Sequence, residues 1–174
     1  AVAGDASLAA RILGRLETFV VGQGLDARHV EEIRDIRKRM ELKDLTSLSI
    51  KTAPGGIVDV EFLVQILQLR YAKDHPGIRS PSTRKGLKRL AEAGLLNQSD
   101  ADDLDDGFVF LRNVEKILRR QDERGKTRLP SDPRAVRAIA RAVGFDDSSS
   151  FEQMLKSKMD SNRALFVQYI DAQA

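Results

Sequence analysis

The stretch Lys51-Thr52-Ala53-Pro54-Gly55-Gly56-Ile57-Val58-Asp59-Val60-Glu61-Phe62 holds the residues best placed to do chemistry. Proline and paired glycines rule out regular structure up to Gly56, and the apolar periodicity that follows predicts a helix from Ile57. Glycines at a helix start let backbone N–H groups approach another molecule, so an anion could sit against Gly55 and Gly56 with Lys51 as a mobile positive charge. Asp59 in the first turn opposes an anion and also suits the helix dipole. The same pattern describes a tight structural turn before a core helix.

Further along that helix Glu61, Gln65 and Gln68 fall at i, i+4 and i+7, a polar stripe on an otherwise apolar element, facing either solvent or a partner. A later helix places Glu115 and Asp122 on one side with Leu104, Phe108, Leu111 and Leu118. Arg112 and Arg119, three and four residues from Glu115, predict a structural ion-pair network. Ser99-Asp100-Ala101-Asp102 superficially matches a magnesium-holding Ser-Asp-x-Asp signature. No Gly-Ser pair exists in the chain to precede it, and these residues open a helix, where Ser and Asp are caps. With no cysteine and only His29 and His75, neither a thiol nucleophile nor a histidine-rich metal site can be built, so the sequence offers no catalytic residue and no metal ligand set. The basic cluster Arg84-Lys85 and Lys88-Arg89 reads as a solvated helix face.

The elements that carry these residues are helical throughout. Apolar residues recur at helical spacing and no segment shows sustained alternation, which predicts an all-α fold, a bundle of about seven helices around one central buried helix, in a single domain over residues 1–174. A first helix over Ser7 to Val21 places Leu8, Ile12, Leu16, Phe19 and Val20 on one face and ends at Gly22-Gln23-Gly24. The second, Ala27 to Asp44, turns Val30, Ile33, Ile36, Met40 and Leu42 inward and sets Arg37 among its solvated charges. The central helix runs from Ile57 to Asp74; others follow from Pro81 or Ser82 to Ala93, from Ser99 or Asp100 to Arg124, from Pro133 to Gly144, and after Ser148 to Ser150.

Composition narrows the class. The 174 residues are 41% hydrophobic and 32% charged, with 29 basic against 26 acidic side chains and a formal charge of +3. Interleaved charges and few aromatics argue against nucleic acid, and no apolar run is long enough to span a bilayer, so a cytoplasmic protein is the expectation. The chain opens with Ala1-Val2-Ala3-Gly4-Asp5 and shows no signal-peptide layout, which suits an excised fragment.

The segment from Lys51 to Phe62, followed by Gln65 and Gln68-Leu69-Arg70, resembles the Lys-x-Gly-x-Gly-Gly-Ile-x-Asp-Ile-Glu-Phe segment of the bifunctional enzymes that adenylylate and deadenylylate glutamine synthetase in bacteria, with Ala53 in place of a glycine. Val2-Ala3-Gly4-Asp5, Leu90-Ala91-Glu92-Ala93-Gly94-Leu95-Leu96, and Phe110-Leu111-Arg112 through Glu115 to Leu129-Pro130 follow in that family's order. The resemblance implies a helical domain placed after a nucleotidyltransferase module in the same chain. It also implies a parent reaction that uses ATP and magnesium to transfer AMP to a tyrosine of glutamine synthetase, or removes the AMP by phosphorolysis, with the PII signalling protein as a further partner. Under it, Lys51, Gly55, Gly56 and Asp59 face the nucleotide or the domain junction, and Glu61, Gln65 and Gln68 face the partner domain. The helical domain of a PII uridylyltransferase and a non-enzymatic interaction module are the alternatives.

Overall fold

Helix-forming runs punctuated by caps and glycines give seven α-helices in a computed structural model that describes residues 4–22, 24–42, 48–121 and 127–171. Val2-Ala3, Asp44-Leu45 and the stretch from Asp122 to Gly125 lie outside the described residues, as does the side chain of Val20. The helices are α1 (Ala6–Gly22), α2 (Ala27–Leu42), α3 (Ile57–Tyr71), α4 (Thr83–Glu92), α5 (Gln98–Gln121), α6 (Pro133–Ala142) and α7 (Ser148–Asp171). A single 3-10 turn, Pro76–Ile78, stands between α3 and α4, and no strand forms among the described residues. The fold is an all-α bundle.

Local chemistry sets the ends. Ser82 accepts from the Lys85 N–H at the start of α4, Asp132 accepts from Arg134 N–H with Pro133 in the first turn of α6, and Asp147 accepts from Ser150 N–H to start α7. The serines 148–150 thus lie inside α7, because the carboxylate ahead of them is the cap. Gly94 at φ +70° ends the α4 corner. Helix α3 stops at Tyr71, three residues before the expected end, where the chain tightens through Asp74 and His75, both bonded back to the Tyr71 carbonyl.

Helix α3 is the axis of the bundle, packed by α4, α5 and α7, and it buries Ile57, Val58, Val60, Leu63, Val64, Ile66 and Leu67. The most extensive pairing is between the two longest helices, α5 and α7. Phe110, Phe145 and Phe151 form a mutual aromatic cluster at 5.8–6.3 Å between centroids, tying α5 to the α6–α7 corner. At the other end the segment 48–50 pairs with 127–129 through an isolated bridge between Ser49 and Arg128, with Ile50 N–H to Thr127 O at 3.1 Å and Leu129 N–H to Leu48 O at 3.0 Å. This clamp fixes the loop that leads into α3.

Helix α2 is rotated relative to its apolar pattern. Val30 is buried and Ile33 and Met40 are half-buried, but Ile36 and Leu42 are exposed while Arg37 is 1% exposed. The physical reason is a partner on another helix, Asp59, described next.

Candidate functional site at the α2–α3–α7 junction

The loop 51–56 and the first turn of α3 are held by an internal hydrogen-bond system. Gly56 N–H donates to Ala53 O, Ile57 N–H to Ile50 O, Val58 N–H to Lys51 O and Asp59 N–H to Gly56 O, all at 2.9–3.1 Å. Gly55 N–H donates to Asp59 Oδ2 at 2.6 Å. Every backbone donor from Gly55 to Asp59 is therefore engaged, and this helix start keeps none for an anion.

The glycines are required by contact with α7 and with the loop itself. Gly55 sits at φ +74°, and a Cβ there would lie 1.8 Å from the Met159 carbonyl oxygen. A Cβ on Gly56 would lie 2.8 Å from the carbonyls of Ile50 and Lys51. Asn162, fully buried on α7, donates to Gly55 O at 3.1 Å and rests against Gly107 of α5, where a Cβ would come within 2.4 Å of its Oδ1.

Asp59, fully buried, collects the charges around this junction. Arg37 Nε donates to its Oδ1 at 2.5 Å and Arg163 donates to its Oδ2 at 3.2 Å. Arg37 also donates to Ala53 O at 3.0 Å. Glu41 sits 3.4 Å from Arg37 and 3.0 Å from Arg163, and the Arg163 guanidinium lies 5.4 Å above the Phe166 ring. Two acids and two arginines from three helices thus balance one another in a low-dielectric setting, where an unpaired charge would be costly. Beside them a hollow of about 220 Å3 opens between α2 and α7, lined by Arg34, Arg37, Lys38, Glu41, Arg163 and Phe166 among others. Lys51 stands outside this network, half-exposed, and makes no ion pair among the described residues.

The polar stripe of α3 divides into three environments. Glu61 pairs with Arg112 of α5 at 3.5 Å, Gln68 accepts from Ser80 N–H at 3.1 Å, and Gln65 is exposed. Arg112 also meets Glu115 at 2.7 Å and lies over the Phe108 ring, while Arg119 meets the other oxygen of Glu115 at 2.9 Å. Glu115 is buried, and these two half-exposed arginines are its counter-charges. The basic face of α4 borders a larger hollow of about 520 Å3 against α5, across which Arg84 binds Asp105 with two hydrogen bonds of 2.6 and 2.7 Å.

Among the described residues no three His, Asp or Glu side chains converge as a metal ligand set. Asp100 and Asp102 already have partners, Asp100 accepting from the Tyr169 hydroxyl of α7 at 2.6 Å and Asp102 from Gln98 of its own helix. Burial, chiefly, and the neighbouring Asp100 push the Tyr169 hydroxyl pKa up. Arg37, Arg163 and Asn162, central to the junction, are invisible to spacing rules because each reaches Asp59 or Gly55 across 22 residues or more. The only sequence signal was an acid, Asp59, in an apolar helix that had to find cations somewhere.

The described residues form an all-α bundle whose marked loop is locked to α2 and α7 by buried charges. Residues 24–170 match the family model described as GlnD PII-uridylyltransferase. The bifunctional glutamine synthetase adenylyltransferase/adenylyl-removing enzyme of Streptomyces coelicolor is 31% identical over 94% of this chain and 17% of its own length. That of Streptomyces avermitilis is 35% identical over 83% of this chain and 15% of its own, and that of Rhizobium meliloti 28% identical over 99% and 18%. The chain belongs to the bifunctional glutamine synthetase adenylyltransferase/adenylyl-removing family. It spans less than a fifth of the length of these relatives. No described helix is long and apolar enough to cross a membrane.

Proposed function

We propose that the chain is the helical partner domain of a cytoplasmic enzyme that transfers AMP from ATP to a tyrosine of glutamine synthetase, or removes it by phosphorolysis. A nucleotidyltransferase module in the same chain supplies the catalytic carboxylates, and ATP and magnesium belong to that module. The observation that carries the reading is the likeness, over nearly the whole chain, to enzymes bearing that activity in their names. The position of the marked loop supports it: Gly55, Gly56 and Asp59 build the α2–α3–α7 junction from inside, which leaves Lys51 at its rim and Gln65 on the α3 surface to meet the catalytic module. The role of the domain is to hold that module and the protein substrate in register.

Lys51→Ala in the intact enzyme tests this. The expected result is a KM for ATP or a turnover changed several-fold with an unchanged Tm, because the half-exposed Lys51 side chain makes no ion pair among the described residues and the bond from Val58 N–H to the Lys51 carbonyl is kept in the variant. If ATP affinity, turnover and stability all stay as in the wild type, the role assigned to Lys51 is abandoned. A second reading, the helical domain of a uridylyltransferase acting on the PII protein, is favoured by the description of the matching family model. Labelled ATP with glutamine synthetase against labelled UTP with PII separates the two by which protein becomes labelled.

A further inference from the structure

Helix α1 carries an apolar face that nothing in the described structure covers. Leu8, Ile12, Leu16 and Phe19 follow one another at four, four and three residues, on one side of the helix, and Leu13 widens the stripe. All five are 49–69% exposed, and no described side chain of α1 is buried. The helix packs only lightly on the bundle, chiefly against α3. A single helix of 17 residues containing Gly14 is marginal in water without a surface to pack on.

Two comparisons place α1 relative to the rest. The family model for the helical region covers residues 24–170 and leaves α1 out. The likeness to the Rhizobium meliloti enzyme runs over 99% of this chain, so in that long enzyme the match takes in the α1 segment that the helical-region model leaves out. Between α1 and α2 stands Gly24 at φ +65°, a position suited to a change of direction between two units.

We infer that α1 is a structural element of the adjoining nucleotidyltransferase module, and that Leu8, Ile12, Leu16 and Phe19 pack into that module's apolar interior. The inference rests on the proposed function for the identity of the neighbour. The occupant is then a unit of the same polypeptide, and α1 is its covalent connection to the bundle.

Hydrogen–deuterium exchange of the amides from Leu8 to Phe19 tests this, in the 174-residue chain and in the full-length enzyme that contains it. The expected result is near-unprotected exchange in the 174-residue chain and at least ~100-fold slower exchange in the full-length protein, as for a core helix. Ile12→Asp with Leu16→Asp leaves the Tm of the 174-residue chain unchanged and removes that protection in the full-length protein. Four results overturn the inference: α1 protected in the monomeric 174-residue chain; α1 unprotected in the full-length protein; a dimer of the short chain, seen by sedimentation, that the double variant dissolves; or protection gained on anionic phospholipid vesicles. Adenylyl transfer is measured separately. A full-length protein that protects α1 but labels neither glutamine synthetase nor PII overturns the proposed function, while the packing of α1 into its neighbour stands.

Discussion

Gly55→Ala isolates what the paired glycines are for. The backbone there is left-handed at φ +74°, which costs an L-residue about 1–2 kcal/mol. The added methyl meets the carbonyl oxygen of Met159 at 1.8 Å and its carbon at 2.5 Å. Backbone of a packed helix cannot swing aside as a side-chain tip does, so α7 must move, at roughly 1–3 kcal/mol for overpacking of this kind. Both effects together give a loss of about 3.5 kcal/mol, or a Tm fall on the order of 10 °C for a chain of this size. Moving α7 also strains the Asn162–Gly55 hydrogen bond. The assay is urea unfolding of the 174-residue chain followed by circular dichroism, with Gly77→Ala as control. Gly77 is exposed, has no positive φ and would place a methyl in open space, so its variant should differ from wild type by less than about 0.5 kcal/mol. A Gly55→Ala loss below about 1 kcal/mol at an unchanged m-value would refute the close approach of loop and helix on which the junction is built.

Two further perturbations probe the charges. Arg37→Met leaves buried Asp59 with only Arg163 and the Gly55 N–H, and should cost about 3–5 kcal/mol; adding Asp59→Asn should recover part of this, and strict additivity in a double-mutant cycle would show the pair to be uncoupled. Asp147 has its carboxyl pKa held below the ordinary 3.8, first by the Ser150 N–H and then by the Ser150 hydroxyl. Its stabilising effect is therefore fully present above pH 3.8 and fades as the pH falls through the lower folded value, so Asp147→Ala should lower the Tm at neutral pH and converge with wild type in acid. A Tm difference that persists unchanged at low pH would mean that the carboxylate charge is not what starts α7.

Much of the fold can be read locally because helices are local objects. Periodicity, caps and glycine stops place all seven helices within a few residues, and the density of apolar residues on almost every side of the helix from Ile57 marks α3 as the central element. Spacing on a single helix likewise brings Arg112 and Arg119 to Glu115, since three and four residues along a helix are neighbours by geometry. What the sequence could not decide is how the helices rotate about their axes and which distant groups meet. Arg37 looks like one of several solvated charges on α2, yet Asp59 draws it into the core and turns Ile36 and Leu42 outward. The pair Gly55-Gly56 has the composition of an anion cradle, and only the tertiary structure shows the N–H groups already bonded to Asp59 and the loop carbonyls, with the missing Cβ space taken by α7 and the loop itself. A hydrogen-bond donor or a buried charge is assigned by whatever reaches it first in three dimensions, and for this chain the decisive partners lie 22 to 107 residues away.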